Sequence, residues 1–207
     1  MSSGTGSSPG RRETIPASQR DLPLEFRPVT ASEWPDLQAL FGPNGADGGC
    51  WCMWWRISRA EFARQAGEGN RRAMEAIIHG GEVPGLLAYH EGRPVGWISV
   101  APRERFPVLD RSRTLRRVDD EPVWSIVCFY VERSWRRNGM SRRLIEAAAD
   151  YARSNGARIL EAYPVDPEHP TVKGDEAFTG LLPTFLKAGF RVAARRSARR
   201  VIVRRSL

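Results

Sequence analysis

The feature that most constrains the fold of this chain is a run in which an apolar strand passes through a glycine-containing turn into a helix. Residues 123–131, VWSIVCFYV, are apolar enough for a strand at the centre of a sheet. Gly139 marks the turn, and apolar residues then recur at helical spacing from about Ser141 to Ser154, until Asn155-Gly156 ends the pattern. A buried strand that leads into a helix in this way predicts an α/β fold.

The rest of the chain alternates between the period of a helix and the period of a strand. Strands are predicted at 24–29, 86–89, 95–100 and 158–165, with a closing hairpin over 190–204, and helices after Thr30, within 58–79 and at 178–188. Residues 101–122 read as a long polar connection. This order predicts an α/β sandwich whose sheet is mixed, because antiparallel hairpins are joined to one helical crossover.

Length and composition indicate one soluble domain with a tail. A chain of 207 residues, 41% hydrophobic and 27% charged, can bury one full core. Residues 1–22 are rich in Ser, Gly and Pro and are predicted to be a disordered tail, which leaves 23–207 as a single domain. No apolar run approaches the roughly 20 residues of a membrane span. The tail also lacks the apolar core of a secretory signal, so we expect a cytoplasmic location.

The net charge of +8 is concentrated near the end of the chain, where residues 191–207 contain seven arginines and no acid. A basic nucleic-acid-binding protein is therefore one hypothesis. It is the less favoured one, because the arginines alternate with Val201 and Val203 and fit the outward face of a terminal strand. The residues that would carry it are Arg195, Arg196, Arg199, Arg200, Arg204 and Arg205.

The turn between the central strand and its helix has the features of an anion site. Such a turn leaves backbone N–H groups unpaired at a helix N-terminus, where the helix dipole is positive. Gly139 lets the backbone approach a ligand, and Arg136, Arg137 and Arg142 add charged donors. Neither a P-loop nor a GxGxxG motif is present. From the turn alone, a diphosphate loop and an ordinary strand-to-helix turn both remain open.

Three cysteines give little evidence for a metal or a disulfide framework. Cys50 and Cys52 form a bare C-x-C without a second pair or a nearby His, so no metal is predicted and the role of this pair stays open. Cys128 lies inside the apolar strand, where an inert buried thiol is the simpler interpretation.

The run VERSWRRNGMSRRLIEAAADYARSNG resembles the acetyl-CoA-binding motif of the GNAT superfamily of N-acyltransferases, R/Q-x-x-G-x-G/A, with Arg136, Gly139 and Ser141 at the three positions. VGWISVAP, ARILEAYPVD and FLKAGFRVAARR are similar to other segments of that family, in the right order, over roughly 24–207. The resemblance implies a GNAT-type three-layer sandwich, with a central mixed, mostly antiparallel sheet flanked by helices.

The resemblance also implies acetyl-CoA as the acyl donor and a direct attack by a primary amine in a ternary complex. The backbone of the loop would hold the pyrophosphate, and the end of the central strand would pair with the pantetheine arm like an added strand. Main-chain N–H groups near Phe129 would stabilise the developing oxyanion. The cofactor-binding residues implied are Phe129, Tyr130, Val131, Arg136, Arg137, Asn138, Gly139, Met140, Ser141 and Arg142.

The catalytic groups are less well defined by the resemblance. Phe185 lies where many members carry a Tyr that protonates the departing thiolate, and Phe cannot donate a proton. By the resemblance, the central strand and the strand at 158–165 would splay apart, and the thioester would lie in the gap between them. Tyr163 is predicted as the replacement donor and Glu161 as the base, since both lie on one face of the strand at 158–165. The absence of a clear base leaves a non-catalytic acyl-CoA-binding module of the same fold as an alternative.

The acceptor is not identified by the sequence beyond a small-molecule or peptide amine. Trp51, Trp54 and Trp55 in CWCMWWR bring a large apolar area between the first helices. By resemblance they would shape a substrate pocket, and core packing is the alternative. The sequence is compatible with a homodimer paired through the last strands or through this tryptophan-rich segment.

Overall fold

A seven-stranded sheet organises the part of the chain that the computed structural model describes, residues 21–168 and 174–207, with no side-chain description for 174–176. The strands follow the order β1-β2-β3-β4-β5-β7-β6 across the sheet. Residues 1–20, most of the predicted tail, lie outside the described residues, and Leu22 already packs against the core. The strands are β1 Glu25–Pro28, β2 Gly85–His90, β3 Arg93–Pro102, β4 Trp124–Val131, β5 Ile159–Ala162, β6 Arg191–Ala194 and β7 Ile202–Ser206.

The sheet is mixed, as predicted, because β4 and β5 run parallel while the other neighbouring strands of the described sheet are antiparallel. The parallel pair needs a crossover, which the helix after β4 supplies. The helices are α1 Trp34–Phe41, α2 Arg59–Arg64, α3 Glu68–His79, α4 Pro107–Arg111, α5 Met140–Ser154 and α6 Leu182–Lys187. The predicted α/β class is confirmed.

One face of the sheet is covered by α5 and α6. Small side chains on α5 let the helix lie close to the strands, against apolar residues that alternate along β3, β4 and β5. Gly96 of β3 accommodates this contact, since a Cβ there would lie 3.4 Å from Leu144. The buried residues of α5 are Met140, Leu144, Ile145, Ala148, Ala149 and Ala152.

The opposite face is covered by α1, by α3 and by the tryptophan-rich segment, 50–57. Trp51 and Cys52 both have positive φ, 47° and 56°, an uncommon conformation for residues with a Cβ. Two hydrogen bonds to the Gly49 carbonyl hold this loop close to residues 67–70. The donors are the backbone N–H of Gly67 at 3.0 Å and Asn70 Nδ2 at 2.9 Å. A Cβ on Gly49 would lie 2.3 Å from the Gly67 nitrogen.

Two expectations about the fold need correction. The connection 101–122 is not simply polar, since it contains α4 and buries Arg103, Phe106 and Leu109. Its short helix has no apolar period long enough to detect. The arginines of the last strand are not all outward, because β7 lies inside the sheet and Arg204 reaches a buried acid. In the described residues no helix combines the length and the apolarity that crossing a membrane requires.

Candidate active site

An opening in the sheet between β4 and β5 marks the candidate site. The parallel ladder contains three residue pairs and ends at Ile126 and Ala162. Beyond that point β5 turns away, and Val165 bridges Leu181 and Arg200 instead. The β5-facing edge of β4, from Val127 to Val131, is therefore left without a strand partner in the described structure. An exposed strand edge of this kind can accept an extended ligand by main-chain hydrogen bonds.

A bulge in β4 lies at the start of this opening. Ser99 of β3 faces Cys128, but the next residue, Val100, faces Ile126, so Val127 is an extra residue on β4. A bulge interrupts the regular ladder and bends the strand, which turns β4 away from β5 at the point where pairing stops. No local sequence pattern marks this bulge, because Val127 is as apolar as its neighbours.

The loop that follows β4 has the backbone conformation of an anion site. Arg137 and Gly139 have φ of 65° and 77°, both left-handed, and Gly139 is the N-cap of α5. The Gly139 carbonyl accepts the N–H groups of Arg142 and Arg143 at 3.0 and 3.3 Å. The N–H groups of Met140 and Ser141 are thus left without an intrahelical acceptor, at the positive end of a helix of 15 residues.

A cavity of about 270 Å³ opens at this loop. Its wall combines the end of β4, the loop, the first turn of α5 and one residue of α6, and no acidic residue is among its lining residues. A Cβ on Gly139 would meet nothing within 4 Å, so space remains above the glycine for a ligand. These residues fit a diphosphate. The lining residues are Val131, Arg136, Arg137, Gly139, Met140, Ser141, Arg142 and Thr184.

The structure brings most of the predicted cofactor-binding residues to one place. Arg136 folds back on the loop, where its Nε donates to the carbonyl of Val131 at 2.9 Å. Phe129 and Tyr130 lie on opposite faces of β4: Phe129 packs against Phe185, and Tyr130 against Phe41, with ring centroids 5.9 and 5.6 Å apart. Main-chain groups of alternate residues along this stretch of β4 face the unpaired edge, whereas the side chains of Phe129 and Tyr130 pack into the core on either side of the sheet.

Glu161 and Tyr163, the predicted base and acid, lie in a buried ionic network. Both are fully buried. The Tyr163 hydroxyl lies 2.6 Å from Glu161 Oε1 and 2.8 Å from Ser125 Oγ, and Arg103 Nη1 donates to Glu161 at 2.7 Å. Arg204 Nε donates to the other Glu161 oxygen at 2.7 Å. Burial, followed by the charge of Glu161, raises the pKa of Tyr163 well above its ordinary value.

This arrangement joins four parts of the fold at the base of the opening: β4, β5, β7 and the segment that contains Arg103. Arg103 is 1% exposed and also donates to Asp110 at 2.9 Å and to the Leu115 carbonyl at 2.9 Å. The side-chain polar atoms of Glu161 and Tyr163 thus all have hydrogen-bond partners within the protein. Sequence reasoning missed Arg103, because one arginine in a polar connection gives no signal until its buried partners are known.

Phe185 is fully buried and lies in a cluster of rings. Its centroid is 5.9 Å from that of Phe129 and 5.1 Å from that of Phe190. Gly180 lies directly against it, since a Cβ at Gly180 would be 2.7 Å from the Phe185 ring. The side chain contributes to the core on the α5 face, which accounts physically for an apolar residue at this position.

The three tryptophans of the tryptophan-rich segment occupy different environments. Trp51 is 4% exposed and packs against Trp34 and Phe41, so it is a core residue. Trp54 is partly exposed and lies under the guanidinium of Arg59, 3.3 Å from its ring centroid. Trp55 is 7% exposed and belongs to a buried cluster that also contains Val127, the first residue of the opening, and Tyr163. Trp54 and Trp55 therefore belong to the cluster beside the opening, whereas Trp51 belongs to a different buried cluster.

The cysteines lie next to this segment. Cys52 and Cys128 have their sulfurs 3.3 Å apart, and Trp97 Nε1 donates to Cys52 at 3.1 Å. Burial raises the pKa of Cys50 to about 12, and the contact with Cys52 together with burial raises that of Cys128. Within the described residues, no group of three His, Cys, Asp or Glu side chains is placed to hold a metal ion.

The arginines that suggested nucleic acid are largely engaged within the fold. Arg195 pairs with Asp166 at 2.9 Å, Arg205 with Glu146 at 2.8 Å, and Arg204 with both Glu161 and Asp119. Arg196 donates to the carbonyls of residues 116 and 117. A basic face for polyanions would instead need charges that extend into solvent.

Comparison with known families gives an independent result for the same region. Residues 51–173 match a family model described as Acetyltransferase (GNAT) family. The matched region begins at the tryptophan-rich segment and includes β2–β5, the loop and α5. Among curated protein sequences, none matches this chain significantly.

Solved structures with the same fold cover almost the whole chain at low identity. An acetyltransferase of the GNAT family from Listeria monocytogenes aligns with a TM-score of 0.57 and 11% identity over 90% of this chain and 96% of its own. The PaiA N-acetyltransferase of Thermoplasma acidophilum, solved with coenzyme A, aligns with a TM-score of 0.51 and 12% identity over 90% of this chain and 100% of its own. The polyamine N-acetyltransferase of Drosophila melanogaster aligns with a TM-score of 0.54 and 13% identity over 89% of this chain and 100% of its own.

Proposed function

Because this chain belongs to the GNAT acetyltransferase family, we propose that it transfers an acetyl group from acetyl-CoA to a primary amine by direct attack in a ternary complex. The observation that carries this proposal is the continuity of the site. The unpaired edge of β4 leads directly into the loop of Arg137 and Gly139 and its cavity. A thioester arm along the strand and a diphosphate at the loop would fit this path.

The bound donor would supply an activated acyl group, and the protein would hold the donor in one position. The loop N–H groups and Arg136, Arg137 and Arg142 would bind the diphosphate, which fixes the donor along β4. In the reaction the amine nitrogen forms a C–N bond as the C–S bond breaks. One proton leaves nitrogen and one is taken up by sulfur.

The proton-transfer groups stay a prediction. Burial and complete hydrogen bonding of Glu161 and Tyr163 favour a positioning role for the pair at the base of the opening. Tyr163→Phe separates the two roles: a positioning residue would lower activity at every pH, whereas a proton donor would also remove one limb of the pH profile of kcat. A cytoplasmic location and a homodimer also remain expectations.

The first test of the proposal is calorimetric titration with acetyl-CoA, with free CoA and ATP as controls. One site of micromolar affinity for acetyl-CoA and CoA, with weaker binding of ATP, is the expected result. Thiol release upon addition of amines then measures transfer. Acetylation of polyamines by the Drosophila relative supports an amine as the class of acceptor.

Two glycines that flank α5 offer a matched pair of variants. Gly139 and Gly156 have φ of 77° and 83°, neither has a neighbour within 4 Å of an added Cβ, and they lie at opposite ends of α5. Gly139→Val and Gly156→Val should therefore strain the backbone to a similar extent. Only Gly139→Val should lose acetyl-CoA binding, by tenfold or more.

Equal binding by the two variants would show that the loop is not the diphosphate site. Tight acetyl-CoA binding without thiol release over a broad amine panel would instead support a non-catalytic acyl-CoA-binding module. In that case the cofactor half of the proposal would stand and the transfer would fail.

A further inference from the structure

Two aromatic rings and a guanidinium lie together beside the opening, on the face of the sheet away from α5. We call Trp55, Phe178 and Arg200 the arginine-aromatic cluster. The ring centroids of Trp55 and Phe178 are 6.5 Å apart, and the guanidinium carbon of Arg200 lies 6.0 and 5.8 Å from them. Arg200 Nη1 donates to the carbonyl of Tyr163 at 3.2 Å and to Thr179 Oγ1 at 2.7 Å. The cluster is thus fixed to the strand that turns away from β4.

One hydrogen-bond donor of the cluster, the Trp55 indole N–H, has no acceptor among the described residues. Trp55 is 7% exposed, and its Nε1 is buried without a hydrogen-bond partner in the described part of the chain. Buried indole N–H groups normally find an acceptor, and this one can donate to a bound molecule without giving up a hydrogen bond to another described residue. Arg200 forms no ion pair with any acid of the described residues, and burial lowers its pKa to about 10.

A second guanidinium extends the same positive environment. Arg59 lies 3.3 Å from the ring centroid of Trp54 and 5.3 Å from that of Trp55, and its Nη1 donates to the Trp54 carbonyl. Arg59 also lacks an ion pair in the part of the chain described here. Two guanidinium carbons thus lie 5.3 and 6.0 Å from the Trp55 ring centroid, and a cationic acceptor tail would be repelled at this point.

We propose that the arginine-aromatic cluster binds the carboxylate of an acceptor whose amine lies a few bonds away, so that the substrate is an amino acid or a comparable amino-carboxylate. This inference rests on the proposed acetyl transfer. The guanidinium and the indole N–H would donate to the carboxylate oxygens, and the two rings would form apolar walls for the rest of the acceptor. A buried donor that meets an acceptor only in the complex gives selectivity against analogues that lack the carboxylate.

Matched amines with and without a carboxylate test the proposal directly. The pairs are L-phenylalanine and 2-phenylethylamine, L-tryptophan and tryptamine, L-lysine and cadaverine, and L-arginine and agmatine. Each is assayed for thiol release with the full-length protein at saturating acetyl-CoA. We expect at least a tenfold higher kcat/KM for the carboxylate member of the accepted pair. Binding of the same compounds to the CoA-saturated protein is measured by calorimetry.

Two variants locate the effect. Arg200→Gln should reduce the preference for the carboxylate at least tenfold, and Arg200→Lys should restore part of it. Trp55→Phe keeps an aromatic ring but removes the Nε1–H together with part of the indole. Because this N–H has no partner among the described residues, a loss of preference in the variant would not come from a broken hydrogen bond within them. Arg191→Gln, at an exposed position on β6, removes the same charge and should leave the preference unchanged.

Each outcome supports or overturns the inference. Equal or better use of the decarboxylated amines would overturn it, and so would an unchanged preference in both Arg200→Gln and Trp55→Phe. If no amine reacts, a carboxylate that binds the CoA complex of the normal protein and not of Arg200→Gln supports it, whereas absence of all carboxylate binding overturns it. Failure of acetyl-CoA itself to bind is a different result, which would contradict the proposed function.

Discussion

Ile126 and Ala162 form the last residue pair between the parallel strands β4 and β5. The pair before it, Ser125 and Glu161, belongs to the buried ionic network, in which Ser125 Oγ lies 2.8 Å from the Tyr163 hydroxyl. The network thus holds the strands together immediately before they separate. The unpaired stretch of β4 therefore depends on this network, because the point where pairing ends sets the angle at which β4 and β5 separate.

Removal of Arg103 should destabilise the protein strongly. Arg103→Met leaves Glu161 fully buried with only Arg204 as a cationic partner, and loss of one partner of a buried pair typically costs about 3–5 kcal/mol. The free energy of unfolding is measured by urea denaturation. The exposed pair of Arg153 and Asp150 is the control, where Arg153→Ala should cost less than about 1 kcal/mol. Similar losses for both variants would contradict the importance of the network.

Addition of a hydroxyl to Phe185 should not create the missing proton donor. Phe185 is fully buried among Phe129 and Phe190, so the hydroxyl of Phe185→Tyr would enter an apolar core. Burial of a hydroxyl without a partner costs about 1–3 kcal/mol. We expect a lower melting temperature and no increase in kcat. An increase in kcat at unchanged stability would show that position 185 faces the reacting groups after all.

The thiols should be slow to react in the folded protein. The pKa of Cys50 is raised to about 12 by burial and that of Cys128 is also raised, so neither forms much thiolate near neutral pH. Iodoacetamide at pH 8 should leave these cysteines unmodified over a time in which the urea-unfolded chain is fully alkylated, as measured by mass spectrometry. Rapid modification of Cys50 or Cys128 in the native protein would contradict this.

The protein should lose stability in alkali. Burial, followed by interactions with Asp36 for Tyr89 and with Glu161 for Tyr163, raises the pKa of both phenols above the ordinary value of about 10. The folded state thus holds these protons more tightly than the unfolded state. The resulting stability is complete below pH 10 and is lost as the pH rises beyond it.

The comparison of Tyr89→Phe with the unchanged protein measures how much of the stability loss in alkali is due to this one tyrosine. Tyr89 donates to Asp36 at 2.8 Å, and the variant lacks this titrating group. The free energy of unfolding of the variant should fall less steeply between pH 9 and pH 11. Parallel curves for the two proteins would show that Tyr89 titrates normally in the folded state.

Much of the architecture was predictable because local patterns determine it. The period of apolar residues predicted β2, β3 and β4, and the Gly139 turn predicted the start of α5 within one residue of Met140. The loop residues of the cofactor half were also predictable, since they are contiguous in the chain and a strand-turn-helix needs few distant contacts to form. Family membership follows from the same contiguous segments.

The sequence by itself determined the strand-turn-helix unit, the class of fold and the loop at which a diphosphate would bind. Only the tertiary structure decided that Glu161 and Tyr163 are engaged by Arg103, 58 and 60 residues away, and that Trp51 and Trp55 belong to different buried clusters. The physical reason is that a pattern of residues fixes local conformation and buried faces. Whether a polar side chain is free or occupied depends on partners brought together by folding, and their sequence separation carries no signal of that contact.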